Sequence, residues 1–298
     1  IAWDAWDIDP SYEERWERVT GPQTTARIVE TGPLRVSVLF ETVWRDSKIT
    51  QYVRLCAHSA RLDFVTDVDW HEQQTLLKAA FPTAVAATEA IYDVQWGRVA
   101  RSTTRDTSFD AARFEVPAHK WASVADDGIA VAVLNDCKYG YDVLGGRIRI
   151  TLIKSSSAPD PHADQGMHSF TYAYLPYAPA MPQVLDHAAY DLNVPLRHIG
   201  GGSVSMSDGK GVVAVRADNV IVETLKAAAD GRGMILRVFE AHGTATNAEL
   251  LFCCNLGRAE KVSIFEQAID VIPIDQNRIT LALKPFQIER VRMVFAAD

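Results

Sequence analysis

Short alternating runs, each closed by turn residues, recur along almost the whole of this chain, and that pattern constrains the fold more than any other feature. Residues 34–40 (Leu-Arg-Val-Ser-Val-Leu-Phe) alternate and are rich in β-branched side chains. The same reading predicts strands at 49–55, 61–68, 129–134, 147–153 and 212–215, and again at 234–239, 249–254, 261–265, 278–283 and 288–295. Runs of roughly five to eight residues with period-2 polarity are what half-buried strands require. Gly145-Gly146, between Leu144 and Arg147, reads as a hairpin turn. Residues 11–19 read as a short helix, with Ser11 as N-cap and Glu14 three residues on. No strand-helix-strand-helix rhythm is present, so doubly wound and (β/α) barrel folds are set aside in favour of an all-β chain.

The pattern divides unevenly. All seven tryptophans lie at or before Trp121. After about residue 200 the chain loosens into Gly200-Gly201-Gly202-Ser203 and Ser207-Asp208-Gly209-Lys210, and a compact series of short strands follows. A soft boundary near 215–225, drawn at 218/219, therefore separates a large sandwich (1–218) from a small one (219–298). The small unit could instead add strands to the large one.

Length and charge narrow the function. A chain of 298 residues with 48% hydrophobic side chains can bury a substantial core. A net charge of −8 gives no electrostatic footprint for nucleic acid or an anionic membrane. No apolar run approaches a membrane span, and the start, IAWDAWDIDP, has neither the basic nor the apolar region of a signal peptide. The missing initiator Met points to a trimmed piece of a longer protein. Cys56, Cys137, Cys253 and Cys254 show no CxxC spacing, and adjacent residues on a strand alternate faces. Four reduced thiols in a cytoplasmic protein are expected.

Few motifs carry chemistry. His71-Glu72 is followed by Gln73-Gln74-Thr75, so HExxH fails. His162-Ala163-Asp164 offers two ligands without a third nearby, and a solvated loop is the simpler reading. No GxSxG elbow exists. The carboxylate pairs at Asp4/Asp7/Asp9, Asp67/Asp69 and Asp126/Asp127 fit solvated turns and strand edges as well as glycoside hydrolysis, which depends on separation in space. The densest polar segment is 135–142: Asn135, Asp136, Cys137, Lys138, Tyr139, Gly140, Tyr141 and Asp142. Such a mix of aromatic faces, amides and carboxylates suits a sugar site. It equally suits a hydrogen-bonded corner. In 111–121, Pro117 points to a strand edge or end, and Trp121 reads as a core residue with a polar rim or as the wall of a groove.

Taken in series, several segments resemble glycoside hydrolase family 38 α-mannosidases. They are Trp3-Asp4-Ala5-Trp6-Asp7-Ile8-Asp9, Arg61-Leu62-Asp63-Phe64 with Asp69-Trp70-His71-Glu72 and Leu76-Leu77-Lys78, and RFEVPAHKW at 113–121. NDCKYGYDV at 135–143, DPHADQGMHSF at 160–170 and Leu283 to Phe286 complete the match. The motifs are similar to the bacterial and cytosolic-type branch and span essentially the whole chain.

The resemblance implies the family's C-terminal region: a large antiparallel β-supersandwich of the galactose-mutarotase-like kind, then a smaller β-sandwich. It also implies that the nucleophile and the zinc ligands belong to an N-terminal catalytic domain with no counterpart in these residues. His162 and Asp164 lack the expected aromatic sequel and fall in a different motif. No catalytic residue and no metal ligand is assigned, and zinc is expected only in the catalytic domain. The family brings a tyrosine and an arginine of its β region to the active site; by position these match Tyr92 and, less closely, Arg237, a residue that could equally pair with Glu240 or another carboxylate. Tyr92 and segment 135–142 are expected on an exposed face that meets the catalytic domain. The implied partners are an α-mannoside oligosaccharide and the protein's own N-terminal domain, with a homo-oligomer left open. Two other functions stay open: a stand-alone carbohydrate-binding module, and a mutarotase-like epimerase, against which the opposite facing of His71 and Glu72 on a strand would argue.

Overall fold

The computed structural model describes residues 4–21, 23–197 and 211–296. The chain forms two compact units, one of residues 1–94 with 99–196 and one of 95–98 with 197–298. The loosened stretches at 200–203 and 207–210 lie outside the described residues.

The first unit opens with a 3-10 turn, Pro10–Glu13. There follow β1 (Thr25–Thr31), β2 (Arg35–Trp44), β3 (Ser47–Cys56), β4 (Leu62–Trp70), β5 (Thr75–Pro82), β6 (Glu89–Val94) and β7 (Gly97–Ser102). Next come α1 (Ser108–Ala112), β8 (Val116–Pro117), β9 (Trp121–Ala125), β10 (Ala130–Asn135), β11 (Gly140–Leu144), β12 (Arg147–Ser155), β13 (Gly166–Tyr177) and α2 (Pro182–Asn193). One sheet runs β1-β2-β3-β4-β13-β10-β9-β6-β7, and a second runs β5-β12-β11-β8.

The core lies between these sheets. Alternation in β12 turns Ile148 and Ile150 inward and leaves Arg149 and Thr151 on the other face. Val68, Trp70, Val131 and Val133 join them in one apolar cluster with Leu77, Tyr141 and Val143. Trp70 Nε1 donates to Ser155 Oγ at 3.1 Å, linking β4 to β12. β10 is buried along its length because its other face is covered too: Ala132 and Leu134, with Trp121 and Leu175, pack on Leu185 and Ala189 of α2. Each such leucine contributes about 1.5–3 kcal/mol by leaving water. The double burial explains the unbroken apolar run at 130–134, and it settles Trp121 as a core residue.

The hairpin at Gly145-Gly146 is present between β11 and β12, with φ of 55° and 75° that favour glycine. Pro117 ends the outermost strand of the smaller sheet. The helix expected at 11–19 is not formed. Asp9, not Ser11, is the cap: its carboxylate accepts from Ser11 N at 2.8 Å, and Pro10 opens a turn that stops at Glu13. That stretch buries no apolar stripe that could hold a longer helix.

The second unit comprises β14 (Val213–Arg216), β15 (Val220–Ala227), β16 (Met234–Glu240), β17 (Thr246–Phe252), β18 (Leu256–Val262), β19 (Ala268–Val271), β20 (Arg278–Leu283) and β21 (Ile288–Phe295). Its sheets run β14-β17-β20 and β15-β16-β21-β18-β19. Leu236, Val238, Leu250, Ile279, Leu281 and Val291 lie in its core. β14 pairs with β17, so residues that a boundary at 218/219 would assign to the first domain belong to this unit's sheet. The strand expected at 261–265 stops at Val262, because Ser263 Oγ accepts from Phe265 N and Gln267 N and turns the chain. With few and short helices, the described residues form an all-β chain: a large antiparallel sandwich and then a smaller one.

Glu240 ties a corner of the second unit. Its Oε1 accepts from His242 N at 2.7 Å, and its Oε2 accepts from Gly243 N at 2.8 Å and Phe286 N at 2.9 Å. Burial opposes its ionisation, but the backbone donors outweigh this and hold the carboxyl below its usual range.

Candidate functional site

Segment 135–142 folds back on itself at the end of β10. Asn135 Nδ2 donates to His119 O and to Tyr141 Oη, both at 2.7 Å, while its Oδ1 accepts from Lys138 N at 2.7 Å. Tyr141 Oη donates to Val133 O at 3.2 Å, and burial pushes its pKa far up. Asp136 Oδ2 accepts from Thr171 N at 2.9 Å. Asn135, Tyr141 and Asp142 are buried, Asp136 and Lys138 are partly buried, and Tyr139 is exposed. The expected exposed face holds only at Cys137 and Tyr139; the other polar groups form a hydrogen-bonded corner, held by backbone, by one another and, for Asp142, by Lys78 and Arg149.

Asp142 points away from the core into a charged network on the other face of the smaller sheet. Strand register assembles it: Asp142 pairs with Arg149, and Thr151 with both Gly140 and Lys78. Asp142 Oδ1 accepts from Arg149 Nε at 2.6 Å, and Oδ2 lies 2.9 Å from Lys78 Nζ. Lys78 Nζ also donates to Glu115 Oε2 at 2.5 Å and to Thr151 Oγ1 at 2.7 Å. A Cβ at Gly140 would collide with Glu115 Oε1, so a larger residue there would push that carboxylate from its place in the network. The turn at 10–13 covers the group. Tyr12 Oη accepts from Arg149 Nη2 at 2.8 Å, and Glu13 is bound by Arg149 and, at 2.6 Å, by Arg105. Partial burial works against Glu13 ionising, but the two arginines outweigh it and hold the carboxyl at about 2. Sequence reading missed Tyr12, Glu13, Lys78, Arg105, Glu115 and Arg149. A lone Lys78 in the apolar run 76–81 and the arginines alternating with Ile148 and Ile150 were signals, but strand register alone brings them together.

Beside the network a narrow recess is lined by Tyr92, Arg101, Arg105, Asp110, Arg113 and Asp142. Tyr92 was expected to stand out from a strand end. It is instead 2% exposed and packed in the core cluster, with the Arg101 guanidinium 4.6 Å from its ring centre. Position in β6 decides this: Tyr92 shares its sheet face with Ala90, and both point inward. Burial pushes its pKa up to about 12. The match of Tyr92 to a surface tyrosine at a substrate cleft is withdrawn on that ground.

The remaining expected positions are separate. Arg237 Nε donates to Glu223 Oε2 at 2.5 Å and its Nη2 to Thr224 Oγ1 at 3.0 Å, so it is a strand arginine paired with a carboxylate, which is Glu223 and not Glu240. His71 is exposed beside Asp69, whereas Glu72 is buried and accepts from Ser47 Oγ at 2.8 Å; they do not form an acid–base pair. His162 and Asp164 sit in a turn where His162 N donates to Asp160 Oδ1 at 2.9 Å and Asp164 O bonds His168 Nε2 at 2.8 Å. Among the described residues no group of three His, Cys, Asp or Glu side chains is placed to hold a metal ion. All four cysteines carry thiols at exposed positions. No helix among the described residues is long and apolar enough to cross a membrane.

Comparison with known proteins adds a lineage. The family model described as the glycosyl hydrolases family 38 C-terminal domain matches residues 2–162, and that of the family 38 C-terminal beta sandwich domain matches 219–289. Alpha-mannosidase 2C1 of Homo sapiens is 34% identical over 301 residues, covering 99% of this chain and 29% of its own length. Alpha-mannosidase G of Dictyostelium discoideum is 38% identical over 260 residues, covering 83% of this chain and 23% of its own. The chain thus spans under a third of these relatives. A solved α-mannosidase from Enterococcus faecalis V583 superposes over 91% of this chain and 35% of its own with a TM-score of 0.74 at 17% identity, a likeness of fold.

Proposed function

Because the chain belongs to glycosyl hydrolase family 38, whose two C-terminal domain models match it in order, we propose that it is the non-catalytic β region of a retaining α-mannosidase acting on terminal α-mannosides. In this reading a catalytic domain outside these residues carries the nucleophile and runs a two-step displacement through a covalent mannosyl-enzyme. The zinc of such an enzyme would be held there as well. The β region supports that domain and walls the substrate cleft, and the reduced thiols agree with a cytoplasmic setting.

The ordered match of both family models carries this reading. The network around Asp142 supports it in a second way. Its carboxylates, Glu13, Glu115 and Asp142, are each engaged by Lys78, Arg105 or Arg149, which suits bracing better than acid–base work. The test is hydrolysis of an aryl α-mannoside by the full-length protein before and after chelation. Chelator-sensitive turnover is expected. Absence of α-mannosidase activity from a folded, zinc-loaded full-length protein would refute the assignment.

A further inference from the structure

The recess beside the charged network holds a buried donor that has nothing to donate to, with a second arginine beside it. Arg101 Nη1 is buried and makes no hydrogen bond. No ion pair or hydrogen bond from Arg113 to another described residue is found, and the two guanidinium groups repel: after burial and the opposing Tyr92 effect, Arg113 is a further cause that lowers the Arg101 pKa. The Tyr92 side chain is 98% removed from solvent, lines the recess, and makes no hydrogen bond with a described residue. The carboxylates nearby are already engaged. Asp142 is shared by Arg149 and Lys78, and Asp110 accepts from Thr107 Oγ1 at 2.6 Å and helps cap α1. The third arginine, Arg105, is paired with Glu13.

An unpaired buried donor such as Arg101 Nη1 costs about 1–3 kcal/mol, more when charged, and such groups are rare in folded proteins without a partner. A guanidinium with a free edge presents a fork that matches planar or tetrahedral oxyanions. We propose that this recess binds a small oxyanion, a carboxylate or phosphate head group, whose oxygens accept from Arg101 Nη1, Arg113 and the Tyr92 hydroxyl. A neutral hydroxyl would satisfy one donor and leave two positive charges facing each other. The inference is independent of the mannosidase reading, because it concerns binding and not turnover.

The test is calorimetric titration of inorganic phosphate, and separately of acetate, into the full-length protein at constant ionic strength. One saturable site per chain is expected, and the anion that saturates it identifies the head group. Arg113→Gln and Arg101→Gln are each expected to weaken it by at least about tenfold, the loss of one charge-assisted contact. Arg113 is exposed, so Arg113→Gln should melt as the parent does and decides the matter even if Arg101→Gln unfolds. Binding of neither anion, or binding unchanged in a folded Arg113→Gln, would overturn the proposal.

Discussion

Lys78 Nζ stands 2.9 Å from Asp142 Oδ2 and 2.5 Å from Glu115 Oε2, so one nearly buried ammonium serves two carboxylates from different elements. Removing it leaves the mostly buried Glu115 without its cation and Asp142 with Arg149 alone. Lys78→Met is therefore expected to destabilise the protein by about 3–5 kcal/mol, the range for breaking a buried ion pair from one side. Urea unfolding of wild type and variant measures it. A change below about 1 kcal/mol would mean that the network does not brace the sheet.

Glu13 gives this network a pH dependence. Its folded pKa of about 2 lies below the ordinary value of 4.5, so the ionised form is the one that folding favours. Its contribution is complete above pH 4.5 and fades as the pH falls toward 2. Glu13→Gln is expected to flatten the fall in stability over that window while changing little in slope above it. Parallel acid titrations of unfolding free energy would show this, and identical slopes in the window would count against the ion pairs with Arg105 and Arg149.

The corner at 135–142 predicts a contrast. Asn135→Ala removes three hydrogen bonds at a buried site and is expected to cost about 2–3 kcal/mol. Tyr139→Ala, on the exposed side of the same corner, is expected to stay within about 0.5 kcal/mol. Thermal melts of both variants check it. The reverse ranking would restore an exposed, functional reading of the segment.

How much of this was legible in the sequence follows the physics of each feature. Period-2 alternation depends on neighbours along one strand, so residues such as Ile148 and Ile150 declared their strand and their inward face. Gly145-Gly146 announced its hairpin because positive φ selects glycine locally. The turn at Asp9–Glu13 was misread as a longer helix because the capping pattern at Ser11 and Glu14 was locally plausible, and nothing apolar below it was there to hold more turns. Tyr92 and the Lys78 network were not legible for another reason. Which face a strand buries, and which strand lies beside it, is fixed by long-range register, as with Thr151 set against both Gly140 and Lys78.

Gly243 offers a test in the second unit. It holds φ of +77°, and a Cβ there would come within 2.9 Å of the Phe286 ring, whose own N–H is held by Glu240. Gly243→Ala is expected to destabilise by more than about 1 kcal/mol, since both backbone and packing oppose it. Phe286→Ala in the same chain opens that space and is expected to reduce the added cost of the alanine, which a double-mutant cycle would reveal.

The central claim is that these 298 residues fold but do not perform glycoside hydrolysis. The direct measurement is turnover of an aryl α-mannoside by the purified 298-residue chain, supplied with zinc, after its cooperative melting has shown that it is folded. The account predicts no hydrolysis above the uncatalysed rate, while the full-length protein under the same conditions turns the substrate over. Hydrolysis by the 298-residue chain alone, abolished by a chelator, would contradict it.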